Sequence, residues 1–319
     1  MGAATVIICT WNRSIRLGET LESLAKQQGI NSDSVEVIIV DNNSNDNTCA
    51  LVDGKMRDWP LGTLRYEFEP RQGKQFALNR GVLAASHPLL IFTDDDILFP
   101  SNWLREIQML FDDKTIDLAG GRTIATWPDS GRPPWYNDDM QAIIGAVNLG
   151  ETRLDPPPAS YAPSGGNLIA RRNLFDRVGM YSESHFRHMD YEFGMRCTAT
   201  GVRVVYEPSI VVYAPVDESC LTRHYFRRWA FKAGLDRSGG AAAAGKRPRV
   251  PLWIYRQCIQ DRLTTLIGRA GRCESELFSC ELRMWRTWGT IANSWHAWIF
   301  KRRHATWIEN HSQKKNNLY

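Results

Sequence analysis

The residues best suited to chemistry in this 319-residue chain stand directly behind short apolar runs. Asp94, Asp95 and Asp96 follow Leu89-Leu-Ile-Phe-Thr93, and Asp41 follows Val37-Ile-Ile-Val40. Three adjacent carboxylates repel one another and lose solvation unless a cation compensates. Their hard oxygens suit Mg2+ or Mn2+, which commonly takes one or two carboxylates and fills its remaining positions with water and phosphate oxygens. Such an ion would bridge the protein to a diphosphate; the plainer alternative is a solvated acidic turn. Asp41 to Asp46 taken alone fits an Asx-rich turn and helix cap. Its place behind a second apolar run instead brings carboxylates from two strand ends to one crevice, one for a ribose or base and one for metal.

A sheet must position these groups. Val6–Cys9, Val35–Val40, Leu64–Phe68 and Leu89–Thr93 read as strands, and helical patterns fill the gaps at Ile15–Gln28, Thr48–Met56 and Gln75–Ala85. Strands that alternate with helices and lack strict period-2 polarity belong to a mostly parallel sheet covered on both faces. Such α/β sheets bind ligands at the carboxyl ends of their strands, where the polar clusters fall. Pro-rich stretches at 127–136 and 155–163 read as loops around a substrate. Beyond them, Leu168–Val178 and Tyr191–Thr200 read as helices and Val202–Tyr206 as a strand.

At this point the chain resembles the family 2 glycosyltransferases of the GT-A fold, over residues 4 to about 235. The likeness rests on Thr10-Trp11-Asn12-Arg13, Asp41-Asn42-Asn43-Ser44, Gly73 through Ala77 with Asn79 and Gly81, and a DxD motif in Asp94 and Asp96. It continues in Gly165-Gly166-Asn167 and in Asp190-Tyr191-Glu192 with Arg196. The resemblance implies inverting transfer of one sugar from a UDP, GDP or TDP sugar, with Mn2+ or Mg2+ as cofactor. It implies donor contacts from Thr10, Asn12, Arg13, Asp41, Asn43, Lys74, Asn79, Asp94, Asp95, Gly165 and Gly166, with Asp96 as metal ligand. Asp190 matches the general base that takes the proton of the attacking hydroxyl. Glu192 and Arg196 are supporting candidates, although a simple i,i+4 pair on a helix explains them as well. Many family members carry a further metal-binding His where this chain has Ala214, and His185, His188 and His224 are the available substitutes. Tyr225 to Trp229 lacks the Gln of the processive QxxRW motif, which argues for single-sugar transfer.

Composition bounds the reading further. Apolar residues make up 43% and charged residues 23%, the balance of an ordinary folded protein. Seven cysteines without a CxxC pair suit a reducing cytosol. No leader or membrane-spanning run is apparent, so a protein either free in the cytoplasm or peripheral on the inner face of the cell membrane is expected. Residues 1–222 carry 20 basic against 29 acidic side chains, whereas residues 223–319 carry 19 against 6. The expected organisation is therefore a catalytic domain over 1–237, with a nucleotide half to about 98 and an acceptor half from 99. A linker at 238–251 and a basic helical tail at 252–319 follow.

In that tail Trp285, Trp288, Ala292, Trp295 and Ile299 share a helical face, as packing on the catalytic body or contact with an anionic membrane would require. Nucleic acid is not expected as a partner, since no binding module accompanies the charge. The acceptor expected is a glycan or lipid-linked saccharide. A sugar-phosphate nucleotidyltransferase would need a Gly-rich basic N-terminal loop, which Met1 to Arg16 does not offer. A degenerate sugar-nucleotide binder is the non-enzymatic alternative.

Overall fold

The computed structural model describes residues 2–183, 188–236, 250–267 and 273–300. The chain forms two compact units, Met1–Thr126 with Gly145–Pro215, and Trp127–Ile144 with Val216–Tyr319.

The first unit is built on one seven-stranded sheet. Its strands are β1 (Ala4–Thr10), β2 (Val35–Asp41), β3 (Thr63–Phe68), β4 (Leu89–Asp94), β5 (Leu118–Thr126), β6 (Leu168–Arg171) and β7 (Val204–Pro215). They lie in the order β3-β2-β1-β4-β6-β5-β7. All pairings are parallel except those of β6, which runs antiparallel to β4 and β5. Every residue of β1 and β2 is buried. Ala4, Val6 and Ile8 join one apolar cluster and Ile7 and Cys9 the other, so both sheet faces are covered, as the unbroken apolar runs require.

The helices of this unit are α1 (Ser14–Leu24), α2 (Thr48–Met56), α3 (Lys74–Ala84), α4 (Trp103–Phe111), α5 (Asn173–Val178) and α6 (Met189–Ala199). In α1, Leu17, Leu21 and Leu24 recur on one face and are all fully buried. Burial of a side chain of that size contributes about 1.5–3 kcal/mol, enough to fix which face turns inward.

Two segments differ from expectation. Leu168–Arg171, anticipated as the start of a helix, is strand β6, and the helix begins only at Asn173. The apolar run Leu168–Ala170, buried on both faces, is too short to carry a period by which helix and strand can be told apart. Strand β5 is concealed in the sequence by Gly120-Gly121. These glycines are needed for close approach: a Cβ on Gly121 would lie 1.8 Å from the Ile210 carbonyl oxygen, where the β5–β7 register shifts.

The second unit comprises α7 (Arg223–Asp236), α8 (Leu252–Ile267) and α9 (Glu274–Ile299), with the short helix Asp138–Ile144. Its core is aromatic. Trp135 meets Phe226 and Phe278 edge-on, each at 5.0 Å between ring centres. Helices α7 and α9 touch backbone to backbone at Gly234 and Gly289, where a Cβ on Gly289 would lie 2.0 Å from the Phe231 carbonyl oxygen.

This aromatic cluster groups 127–144 and α7 with the tail helices, a different division from the boundary expected at 237. Most of the expected linker, residues 237–249, and the end of the tail beyond 300 lie outside the described residues. Trp285, Trp288 and Trp295 are 36%, 52% and 52% exposed, and Trp285 meets Phe231 of α7 edge-on at 6.4 Å between ring centres.

Candidate active site

Strands β1, β2 and β4 are in register, with Thr10 beside Asp41 and Cys9 beside Asp94. Their polar ends therefore meet at one edge of the sheet, and hydrogen bonds tie the loops together. The Ser44 Oγ accepts from the Asn12 backbone N–H (2.9 Å), and the Asn45 N–H donates to Asn12 Oδ1 (2.8 Å). Asp46 accepts from the Ser14 N–H at the start of α1 and from Thr48 at the start of α2. Asn12 and Asn43 take left-handed backbone angles, φ 52° and 65°, conformations that asparagine tolerates. Asn43 also donates to the Pro70 carbonyl (3.3 Å).

Asp41 is 2% exposed, and both its oxygens have partners: the Ser44 N–H (2.8 Å) and the Tyr66 hydroxyl (2.7 Å). The Tyr66 partner was not legible in the sequence. Burial, and then the Asp41 charge that its hydroxyl serves, push the Tyr66 phenol far above its ordinary value.

The acidic triplet is divided by environment. Asp95 turns inward: it is 5% exposed and accepts from Thr10 Oγ1 (2.7 Å) and Arg13 (3.1 Å), while its carbonyl accepts from Thr20 (2.9 Å). Burial raises the Asp95 carboxyl to about 6 against the pull of Arg13, with Asp96 and Asp94 adding repulsion. Thr10, 3% exposed, and Asp95 thus serve each other, which is a scaffolding arrangement for two residues expected at the donor. Asp94 and Asp96 keep 34% and 39% of their side chains exposed.

Each exposed carboxylate has a protein cation on it. Arg13 donates to Asp96 Oδ2 (2.9 Å) while also holding Asp95. The Lys74 ammonium, from the first position of α3, donates to Asp94 Oδ1. Burial disfavours the Lys74 charge, but Asp94 more than compensates, with Cys9 and Asp190 in support, and the ammonium is held well above its ordinary value.

Gly165 and Gly166 connect the strand end to α6. The Gly165 N–H donates to Asp190 Oδ2 (2.7 Å), and a Cβ on Gly165 would come within 3.4 Å of that oxygen. A Cβ on Gly166 would come within 3.5 Å of Asp94 Oδ2. Asp190 stands in the first turn of α6 and also accepts from the Tyr191 N–H (2.9 Å). The Glu192–Arg196 pair forms along the same helix (2.8 Å), and Arg196 further caps the Val178 and Met180 carbonyls, so both residues brace the helix.

Asn79 has a structural task. It is 7% exposed, and its amide donates to and accepts from the Tyr181 backbone (2.9 and 3.0 Å). The residue next to the Gly-Gly pair, Asn167, is fully buried: it accepts from Trp103 Nε1 (3.1 Å) and donates to the Arg122 and Ile210 carbonyls. It thereby fixes the Gly-Gly segment to α4, β5 and β7.

The donor set available to a divalent metal is therefore the exposed carboxylate oxygens of Asp96 and Asp94. These fit an ion that takes few protein ligands and shares phosphate oxygens. Among the described residues no group of three or more His, Cys, Asp or Glu converges into a metal cage. Ala214 lies in β7 and packs against the core. His188 precedes α6, His224 lies in the second unit, and His185 is outside the described residues.

A mostly parallel sheet with acidic groups at adjacent strand ends and an antiparallel β6 defines the GT-A class of α/β folds. The model of the family "Glycosyl transferase family 2" matches residues 5–179, and the chain belongs to that family. The succinoglycan biosynthesis protein ExoM of Rhizobium meliloti is 25% identical over 241 residues, 71% of each chain. Glycosyltransferase AglE of Haloferax volcanii is 24% identical over 212 residues, and the match spans 65% of this chain and 65% of AglE. Among solved structures, the mannosyltransferase PcManGT of Pyrobaculum calidifontis, in complex with GDP-Man and Mn2+, is similar in fold. Its TM-score is 0.57 at 19% identity, covering 97% of this chain and 79% of that one. S. aureus TarS 1–349 in complex with UDP-GlcNAc superposes with a TM-score of 0.52 at 17% identity, covering 94% and 93%.

Proposed function

We propose that the chain transfers a single sugar, with inversion, from a nucleotide-diphosphate sugar to a hydroxyl of a glycan or lipid-linked saccharide, with Mn2+ or Mg2+. The observation that carries this reading is the placement of Asp94 and Asp190 against consecutive glycines, Gly166 and Gly165. A strand-end carboxylate for the donor and a helix-borne carboxylate for the acceptor meet at a backbone segment without side chains, which leaves room for a sugar.

In this reading Asp190 takes the proton of the acceptor hydroxyl as that oxygen bonds to the anomeric carbon and the bond to the diphosphate breaks. Its two backbone N–H donors, from Gly165 and Tyr191, hold the carboxylate in one orientation. Arg13 and Lys74 are near enough to the acidic edge to meet the charge that develops on the departing diphosphate. The metal, held by Asp96 and supplemented by Asp94, would supply Lewis-acid stabilisation of that diphosphate. The tied β1 and β2 loops, with Asp41 and Asn43, would face the base and ribose. Mn2+ in the complex of PcManGT and the sugar nucleotides in that structure and in TarS support the choice of ligands.

The absence of a histidine at Ala214 favours a second reading, a binder of nucleotide sugars without turnover. One experiment separates the two. Thermal shifts with UDP, GDP and TDP sugars, with and without Mn2+, identify the donor; transfer to an acceptor and the anomeric configuration of the product are then read by NMR. Metal-dependent stabilisation with turnover and inversion supports the transferase. Stabilisation without turnover supports the binder, and a retained anomeric configuration overturns the inverting mechanism. In Asp96→Ala the metal dependence of binding should vanish while the melting transition without ligand remains cooperative.

A further inference from the structure

Helix α8 presents to solvent a face that water does not favour. Leu252, Ile259 and Leu263 are 86%, 62% and 49% exposed, and their spacing of seven and four places them on one side of the helix. Trp253, 59% exposed, stands beside them at the N-terminal end. Arg256, one turn after Leu252, and Arg262, three residues after Ile259, are exposed on the same side. Neither arginine forms an ion pair among the described residues. The one acid in the helix, Asp261, lies on the opposite side, 3% exposed and 3.1 Å from Arg283 of α9. The outward face of α8 is therefore apolar and positive, with no negative charge on it.

We propose that this face of α8 docks on an anionic phospholipid bilayer. Leu252, Ile259 and Leu263 enter the boundary between headgroups and acyl chains, Arg256 and Arg262 meet lipid phosphates, and Trp253 sits at headgroup level. The helix lies on the membrane. No helix among the described residues is long and apolar enough to cross one. The excess of 19 basic over 6 acidic residues in 223–319 adds attraction over longer range.

Charge selects this occupant over a second copy of the chain. Two α8 faces placed together would bring four arginines into an apolar contact without an acid between them. The exposed tryptophan face of α9 is less suited, since Glu281 lies on it, accepting from Trp285 Nε1 (3.2 Å) and neutralising Arg227 (2.6 Å).

The test is co-sedimentation of the full chain with phosphatidylcholine vesicles, with and without about one third phosphatidylglycerol. The wild type should bind only the anionic vesicles and be released by high salt. Arg256→Glu with Arg262→Glu should weaken binding by more than about twentyfold, and Ile259→Gln with Leu263→Gln should abolish it. Both double variants change exposed side chains, and an unaltered melting temperature would establish that they are folded. Absence of wild-type binding, equal binding to neutral vesicles, or undiminished binding of both variants would overturn the proposal. So would loss confined to Trp288→Ser with Trp295→Ser, which would move the surface to α9, or a wild-type dimer that the α8 variants convert to monomer.

Discussion

The Arg13 guanidinium donates to Asp96 at 2.9 Å, so the carboxylate assigned to a metal already carries a positive charge of the protein's own. A metal ion reaching Asp96 competes with that guanidinium for the carboxylate's charge, and an incoming diphosphate is a natural new partner for Arg13. Metal and nucleotide should therefore bind with positive coupling, each strengthening the other by the same factor. Both side chains are more than one third exposed, and such a pair contributes about 1 kcal/mol at most. Arg13→Gln should then bind Mn2+ in the absence of nucleotide up to about fivefold more tightly, and bind the diphosphate more weakly. Mn2+ electron paramagnetic resonance titration reads both. Unchanged affinity for free Mn2+ would exclude the competition.

Asp190→Asn should retain donor binding and lose transfer by about 10²–10⁴-fold, the usual contribution of general base catalysis. An asparagine oxygen can still accept from Gly165, and only the bond from the Tyr191 N–H is lost. The check is kcat together with the donor-induced thermal shift; near-normal turnover would remove Asp190 from the chemistry.

Glu36 offers a pH test away from the site. It is 5% exposed and accepts from Thr5, Arg65, and the Ser86 backbone and hydroxyl. Burial pushes its carboxyl up, but those donors together hold it down at about 2 against an ordinary 4.5. A lowered carboxyl stabilises the fold fully above about pH 4.5, and that stabilisation is lost as pH falls toward 2. Glu36→Gln should cost about 2 kcal/mol at neutral pH and flatten the acid limb of the stability curve. Urea titrations between pH 7 and 3 would detect the difference; parallel curves for the two proteins would refute it.

Asn167→Ala should lower stability by about 2–4 kcal/mol, because it leaves the buried Trp103 N–H and the Arg122 and Ile210 carbonyls without their partner. Since Asn167 anchors the Gly-Gly segment, the loss should extend to donor affinity. Asn79→Ala, which frees only the Tyr181 backbone, should destabilise with less effect on the donor. Melting temperature and donor Kd, measured on both variants, separate the two roles.

The strands that end in chemistry were the most legible. Val37–Val40 and Leu89–Phe92 are apolar throughout because both faces of their sheet are covered, and the aspartates that follow mark where apolar packing gives way to polar contacts. The middle of the chain was harder to read. Strand β5 owes its place to glycines that weaken any strand pattern, and β6 is too short to carry a period. Within the site, residue type located the acidic edge but not the orientation of each side chain. Asp94 and Asp95 are adjacent, yet only the structure distinguishes the exposed carboxylate beside Lys74 from the buried one beneath Arg13. Tyr66 as partner of Asp41 followed from no pattern, because a cross-strand contact between residues 25 apart leaves no local signal.

The ties among Asn12, Ser14, Ser44, Asn45 and Asp46 make two chain segments thirty residues apart into one mechanical part. Neither segment can be altered without loosening the other. With these loops facing the base, as proposed, single substitutions in one of them are a poor strategy for redirecting the protein toward a different nucleotide. The heritable unit of change is the matched pair, Asn12–Ser14 with Ser44–Asp46, and exchange of both together is the route by which preference could shift while the sheet beneath stays as it is.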